Sequence, residues 1–181
     1  MNSAIRLLFC LALGLSYAPA LLAQPQPAAG DVPQEFQVKA AYIYNFLSFT
    51  EWSNTPETVL DFCLYGPDPF GTVLDAALAD KSIGGRSLNM RRVNTVEQLA
   101  DCHIVFISSD VSSNLSRVLD ALGERNVLTI ADSEGATADG VIFNMTTEAD
   151  HISFAVNLRA AHQRGLTISY RLLRLAAEVV N

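Results

Sequence analysis

Between Phe36 and Trp52 the chain reads FQVKAAYIYNFLSFTEW, an apolar run interrupted by Gln37, Lys39, Asn45 and Ser48. With successive residues turned by about 100°, Phe36, Ala40, Ile43 and Leu47 share one stripe, and Val38, Tyr42 and Phe49 lie roughly opposite. The spacing predicts a helix that is apolar on two faces. One stripe serves the core of the domain. The second is met by another layer, another subunit or a partner, or else it is covered by the chain's own last helix.

From Thr58 onward, short apolar runs alternate with helical spacing. VLDFCLY (59–65), SLNMRRV (87–93), HIVFIS (103–108) and VLTIAD (127–132) read as strands, and FGTVLDAALAD (70–80) and SNLSRVLDALG (113–123) as helices. TVEQLAD (95–101) is a short helix whose Thr95 and Gln98 have capping-box spacing. The run at 103–108 is apolar on both faces, as expected of a central strand in a mostly parallel sheet. VIFNM (141–145) and HISFAVN (151–157), separated by TTEAD, predict an antiparallel hairpin. LRAAHQRG and SYRLLRLAAEVV (169–180) are predicted helical, the latter packing on the sheet through Leu172, Leu175, Ala176 and Val179. The expected fold is a three-layer α/β domain: a mostly parallel sheet, helices on both faces, and a C-terminal antiparallel hairpin.

The first 23 residues follow another logic. A basic start through Arg6, an apolar Leu7 to Leu15 and small residues at Ala18, Ala20 and Ala23 predict a secretory signal peptide. Residues 24–33, QPQPAAGDVP, read as a flexible lead-in, which leaves residues 34–181 as a single domain. All 19 acidic side chains lie beyond the leader, and a formal charge of −7 argues against nucleic-acid binding. No later apolar run reaches membrane length.

In an oxidising compartment Cys63 and Cys102 form a disulfide candidate, with two buried free thiols as the alternative. A flavodoxin-like strand order, placing 103–108 beside 59–65, would bring them within reach. They lack C-x-x-C spacing, which argues against thiol exchange. No nucleophile elbow, zinc-protease or P-loop motif is present, so no catalytic residue, cofactor or metal is expected. Asp68, Asp110 and Asp132 fall at or just past predicted strand ends and could meet around a hard cation, though capping and turn formation account for each separately. Ser108 and Ser109 have no evident base among His103, His151 and His162. Adjacent Arg91 and Arg92 point to opposite faces of a strand, which argues against a shared anion clamp.

VKAAYIYNFLSFTEW, the Cys63 strand leading into GPDPFG, ADCHIVFIS with Cys102, and FAVNLRAAHQRGLTISYRLLRLA together resemble the YfiR-like family across nearly the whole chain after the leader. The resemblance implies a non-enzymatic periplasmic α/β regulator that often dimerises. Such a regulator represses an inner-membrane diguanylate cyclase of the YfiN type by binding its periplasmic part. An outer-membrane lipoprotein of the YfiB type relieves the repression, so that cyclic-di-GMP is made. It also implies that Cys63 and Cys102 form the family's structural disulfide. The chain lacks the second cysteine pair of some relatives, and Ala155 replaces a common acidic residue in the strand with Phe154. Tyr42, Phe49 and Trp52 are the expected partner or homodimer surface, joined by Phe143, Phe154 and Ala155. For Phe143, core packing is the competing reading. A different class of function is a periplasmic small-ligand-binding domain with its pocket near Gly66, Ser108 and Asp132.

Overall fold

The computed structural model describes residues 32–52, 57–149 and 151–181. The predicted leader and the lead-in as far as residue 31 lie outside them. Val32–Asn181 forms one compact unit.

Helix α1 (Gln34–Ser48) starts directly after Pro33, with Glu35 in its first turn, where a carboxylate favours the positive end of the helix dipole. It stops before the predicted end. Phe49 donates its amide to the Asn45 carbonyl, and the Thr50 hydroxyl donates to the Phe46 carbonyl at 2.6 Å. Thr50–Trp52 then forms a short strand, β1, antiparallel to β9 (Leu166–Ile168). The helical reading of residues 36–52 is thus corrected in its last turn, where pairing with β9 satisfies the backbone instead.

The main sheet uses β2 (Val59–Tyr65), β3 (Ser82–Ile83), β4 (Arg86–Val93), β5 (Ile104–Ile107), β6 (Leu128–Ala131), β7 (Phe143–Glu148), β8 (His151–Asn157) and β10 (Glu178–Val180), in the order β10-β8-β7-β6-β5-β2-β4-β3. The five strands β4, β2, β5, β6 and β7 are mutually parallel, in the flavodoxin-like winding. β7 and β8 form the predicted antiparallel hairpin, with Phe143 opposite Val156.

Alternation along the strands divides the core between two layers. Phe62, Leu64, Ile104, Phe106, Leu128 and Ile130 face α1 and α2 (Thr72–Leu78), while Cys63, Tyr65, Val105 and Ile107 face α3 (Leu115–Leu122) and the 3-10 turn Val96–Leu99. That turn carries the foreseen cap: Gln98 Oε1 accepts from the Thr95 amide at 3.1 Å.

The C-terminal helix is a correction. Only α5 (Tyr170–Leu173) and a short continuation are helical, and the chain then runs into β10, parallel to β8. Val179 and Val180 are β-branched, and β8 offers an open edge whose Phe154 carbonyl accepts from the Ala177 amide at 2.8 Å. What remains of the last helix starts at the end of α1, where the Ser169 amide donates to the Phe49 carbonyl at 2.9 Å. The other helical piece forms α4 (Leu158–Gln163), capped by the Asn157 side chain, which accepts from the Ala160 amide.

Candidate interaction surface

The buried face of α1 is Lys39, Ala40, Ile43, Phe46 and Leu47, turned toward Phe46 relative to the stripe read from the sequence. Phe46 stacks on Phe143 at 4.2 Å between ring centroids and lies 5.0 Å from Phe154. Tyr42 closes this aromatic cluster, 5.5 Å from Phe154, and its hydroxyl donates to the Ile152 carbonyl at 3.3 Å. Offset and tilted ring pairs of this kind hold a helix in one position on a sheet.

The structure thus brings Tyr42, Phe143 and Phe154 together and separates them from Trp52 and Phe49. Phe143 and Phe154 are fully buried within the chain. Trp52 is buried in β1, its indole N–H without a partner among the described residues. Phe49 is half-buried at the end of α1, where its carbonyl accepts from the Ser169 amide. Ala155 points to the face of β8 opposite Phe154, half-buried, across from Asn144 on β7 and Glu178 on β10. Exposed Val38 and half-buried Tyr42 border a groove of about 680 Å³ between α1 and the hairpin, with Glu35, Thr147, His151 and Ile152 on its walls.

A second opening, of about 540 Å³, adjoins the ends of β5 and β6. Lys39 reaches it from α1 with only 5% of its side chain exposed, pairing with Asp132 at 2.9 Å and with Glu35 at 2.6 Å. Asp132 also accepts from the Ser109 amide at 2.9 Å. This ion pair is the feature that the sequence pattern did not give up. The available signal was a lysine three and four residues from Phe36 and Ile43, on the edge of an apolar stripe. The Lys39 ammonium, and next the Thr147 hydroxyl, hold the Glu35 carboxyl below its ordinary range.

Of the strand-end site expected near Gly66, Ser108 and Asp132, the Gly66 end is covered by protein, while Asp132 lines the opening beside Lys39. Gly66 has φ +97°, and a Cβ there would lie 2.7 Å from a Val111 methyl carbon, so the side chain of Val111 covers the end of β2. Ser108 is buried beside it. The three aspartates take separate roles. Asp68 accepts from the Phe70 amide at 2.7 Å and pairs with Arg92, Asp110 is exposed, and Asp132 holds Lys39. Arg92 bridges Asp68 and Asp75, which lowers the Asp75 carboxyl and raises the guanidinium. Arg91 instead donates to the Gln98 carbonyl. His103 Nδ1 accepts from the Asp61 amide at 3.1 Å, and His151 and His162 are exposed. Among the described residues no group of three or more His, Cys, Asp or Glu could hold a metal ion, and no helix is long and apolar enough to cross a membrane.

Cys63 and Cys102 are joined as a disulfide with their Cα atoms 5.9 Å apart, buried between the sheet and α3. Residues immediately before β5 are brought to β2 because these strands pair directly, Cys63 lying opposite Val105.

A doubly wound sheet with a buried disulfide and an aromatic-backed helix groove places the chain in the class of α/β domains. The chain is a member of the YfiR/HmsC-like family, whose profile matches residues 36–177. That family comprises non-enzymatic periplasmic regulators of cyclic-di-GMP signalling. Two solved structures share the fold. A conserved domain protein from Vibrio cholerae superposes with a TM-score of 0.58 at 13% identity, over 80% of this chain and 60% of that one. An ABC domain in complex with L-Trp from Streptococcus pneumonia gives 0.54 at 10% identity, over 80% and 62%. This chain spans about three-fifths of the length of each.

Proposed function

We propose that this protein represses an inner-membrane diguanylate cyclase of the YfiN type by binding its periplasmic part. Sequestration to an outer-membrane lipoprotein of the YfiB type relieves the repression. The match to a regulatory family across residues 36–177 carries the reading. The groove beside Val38 and Tyr42, continued toward Phe49, is the proposed contact for the cyclase or for a second copy of the chain, with Trp52, Phe143 and Phe154 supporting it from within. Ala155, on the other face of the hairpin, is the proposed second contact. Repression follows if the protein binds the inactive cyclase more tightly than the active one: a preference of about 1–3 kcal/mol shifts the equilibrium about 5- to 150-fold.

The test is cellular cyclic-di-GMP in a strain lacking the protein, restored with the exported or with a leaderless form. A rise on deletion, reversed only by the exported form, is expected. An unchanged level in a strain shown to have an active cyclase refutes the proposal.

The opening beside Lys39 supports a second reading, a small-ligand domain, because α/β sheets place ligands at strand ends. Thermal-shift screening of the purified protein tests it. A ligand whose effect disappears in Thr146→Val would favour it, and no hit across polar metabolites would reject it.

A further inference from the structure

The turn around α5 has two unlike sides. Hydrogen bonds from the amides of Leu172, Leu173, Arg174, Leu175 and Ala176 keep it helical or nearly so, so residues three and four apart share a side. Leu172 is buried and Leu173 and Ala176 are half-buried, all facing the core. The outward side carries Tyr170, Arg171, Arg174 and Leu175, every one of them exposed.

Two properties separate this patch from an ordinary solvated face. Tyr170 and Leu175 are 73% and 72% exposed, whereas the other exposed large apolar residues among the described ones, Val38 and Val59, reach only 40% and 39%. The charge is also segregated. The chain carries 12 basic and 19 acidic side chains, yet Leu158 to Ala177 holds four arginines and no acidic residue. Among the described residues no carboxylate pairs with Arg171 or Arg174, whereas Arg159 donates to the Asn181 main-chain oxygen at 2.6 Å. An arginine pair flanked by an outward tyrosine and leucine suits the headgroup layer of a bilayer, where guanidinium groups meet phosphates and the two apolar tips enter the acyl boundary.

We propose that the Tyr170–Arg171–Arg174–Leu175 turn docks this protein on an anionic phospholipid surface. The acidic remainder of the domain is repelled by that surface, so contact is confined to this one corner and the protein is held in a single orientation. The attachment is weak and reversible. Two arginines contribute a factor of about five each, and two shallow apolar side chains add to that.

Co-sedimentation with vesicles of phosphatidylcholine alone and of phosphatidylcholine with phosphatidylglycerol tests this. The protein is purified from a periplasmic extract, with its N-terminus established by mass spectrometry. Binding is expected only to the phosphatidylglycerol vesicles and should weaken as salt rises. Arg171→Ser/Arg174→Ser should lower the partition coefficient about 30-fold. Tyr170→Ser/Leu175→Ser should lower it about tenfold with the salt dependence retained. All four side chains are exposed, so circular dichroism and Tm should match the parent. Equal binding to both vesicle types, no binding to either, or binding unchanged in the two variants overturns the proposal, and absence of binding directs attention to an acidic protein as the occupant. The result is separate from the cyclase reading, since a chain that fails to repress can still bind vesicles.

Discussion

Replacing Lys39 by methionine should be among the most damaging single changes in α1, although lysine is ordinarily a surface residue. Its ammonium lies 2.9 Å from a carboxylate, with 5% and 3% of the two side chains exposed. At that distance and an effective dielectric constant of about 20, the attraction is roughly 6 kcal/mol before desolvation. Most of that offsets the loss of water, and methionine would fill much of the volume. What remains after substitution is Asp132, buried with its cation gone, and removing one partner of a buried pair costs about 3–5 kcal/mol. The Ser109 amide still donates to Asp132, which places the expected loss at the low end, about 3 kcal/mol. With an m-value of about 2 kcal/mol/M, the urea midpoint should fall by roughly 1.5 M. Asp132→Asn should cost less, about 1–2 kcal/mol, since Lys39 keeps Glu35 at 2.6 Å. The double variant should then be more stable than the sum of the singles by about 1–3 kcal/mol. A Lys39→Met loss below about 1 kcal/mol, or a coupling near zero, would refute the assignment of the pair as the link between α1 and the sheet.

Three further outcomes are expected. Cys63→Ser under oxidising conditions should lower stability by about 4 kcal/mol, the chain-entropy value for a closed loop of this length, while leaving repression intact; a variant of parental stability that no longer represses would contradict a structural role. Because Glu35 is lowered from its ordinary 4.5, its contribution is complete above that value and is lost as pH falls through the lower folded-state value; Glu35→Gln should therefore flatten the stability profile below pH 4.5, and an unchanged acid limb would count against the pairing. Arg164 is buried at the end of α4, its guanidinium lowered by burial, its Nε without a partner and no carboxylate paired with it among the described residues, so Arg164→Met should be neutral or stabilise by about 1 kcal/mol; a loss above about 2 kcal/mol on urea denaturation would show that its 3.5 Å contact to the Ala160 carbonyl matters more than its desolvation.

The parts of the fold that could be read from sequence are those in which local pattern and tertiary environment agree. IVFI and LTIA are apolar throughout because both faces of β5 and β6 are covered, and the Thr95–Gln98 spacing is realised within a single turn. What escaped depends on distant partners. Leu172, Leu175, Ala176 and Val179 have helical spacing, but strand pairing at the edge of β8 prevails for residues 178–180, a tertiary preference that no window around them contains. Lys39 looks like an interruption until Asp132, 93 residues away, is placed opposite it. Of the aromatics expected at a partner surface, the pattern correctly marked their apolar character. It could not separate Phe143 and Phe154, which look inward from the hairpin, from Tyr42, which borders the groove, because both kinds occupy alternating or helical positions of the same sort.

The disulfide also bears on the order in which the molecule assembles. β2 and β5 are neighbours at the middle of the sheet, yet the segment between the two cysteines, 39 positions in sequence, carries α2, β3, β4 and the 3-10 turn. In a reduced chain these strands must find each other across that length, and non-local parallel pairing is the slow kind. Once the bond has formed in an unfolded chain, the search is already over for this pair, and the intervening segment becomes a closed ring that folds back onto β2 as an edge. An oxidising compartment would then supply the nucleus of the sheet covalently, and the chain should reach its native state faster there than the same sequence does with free thiols.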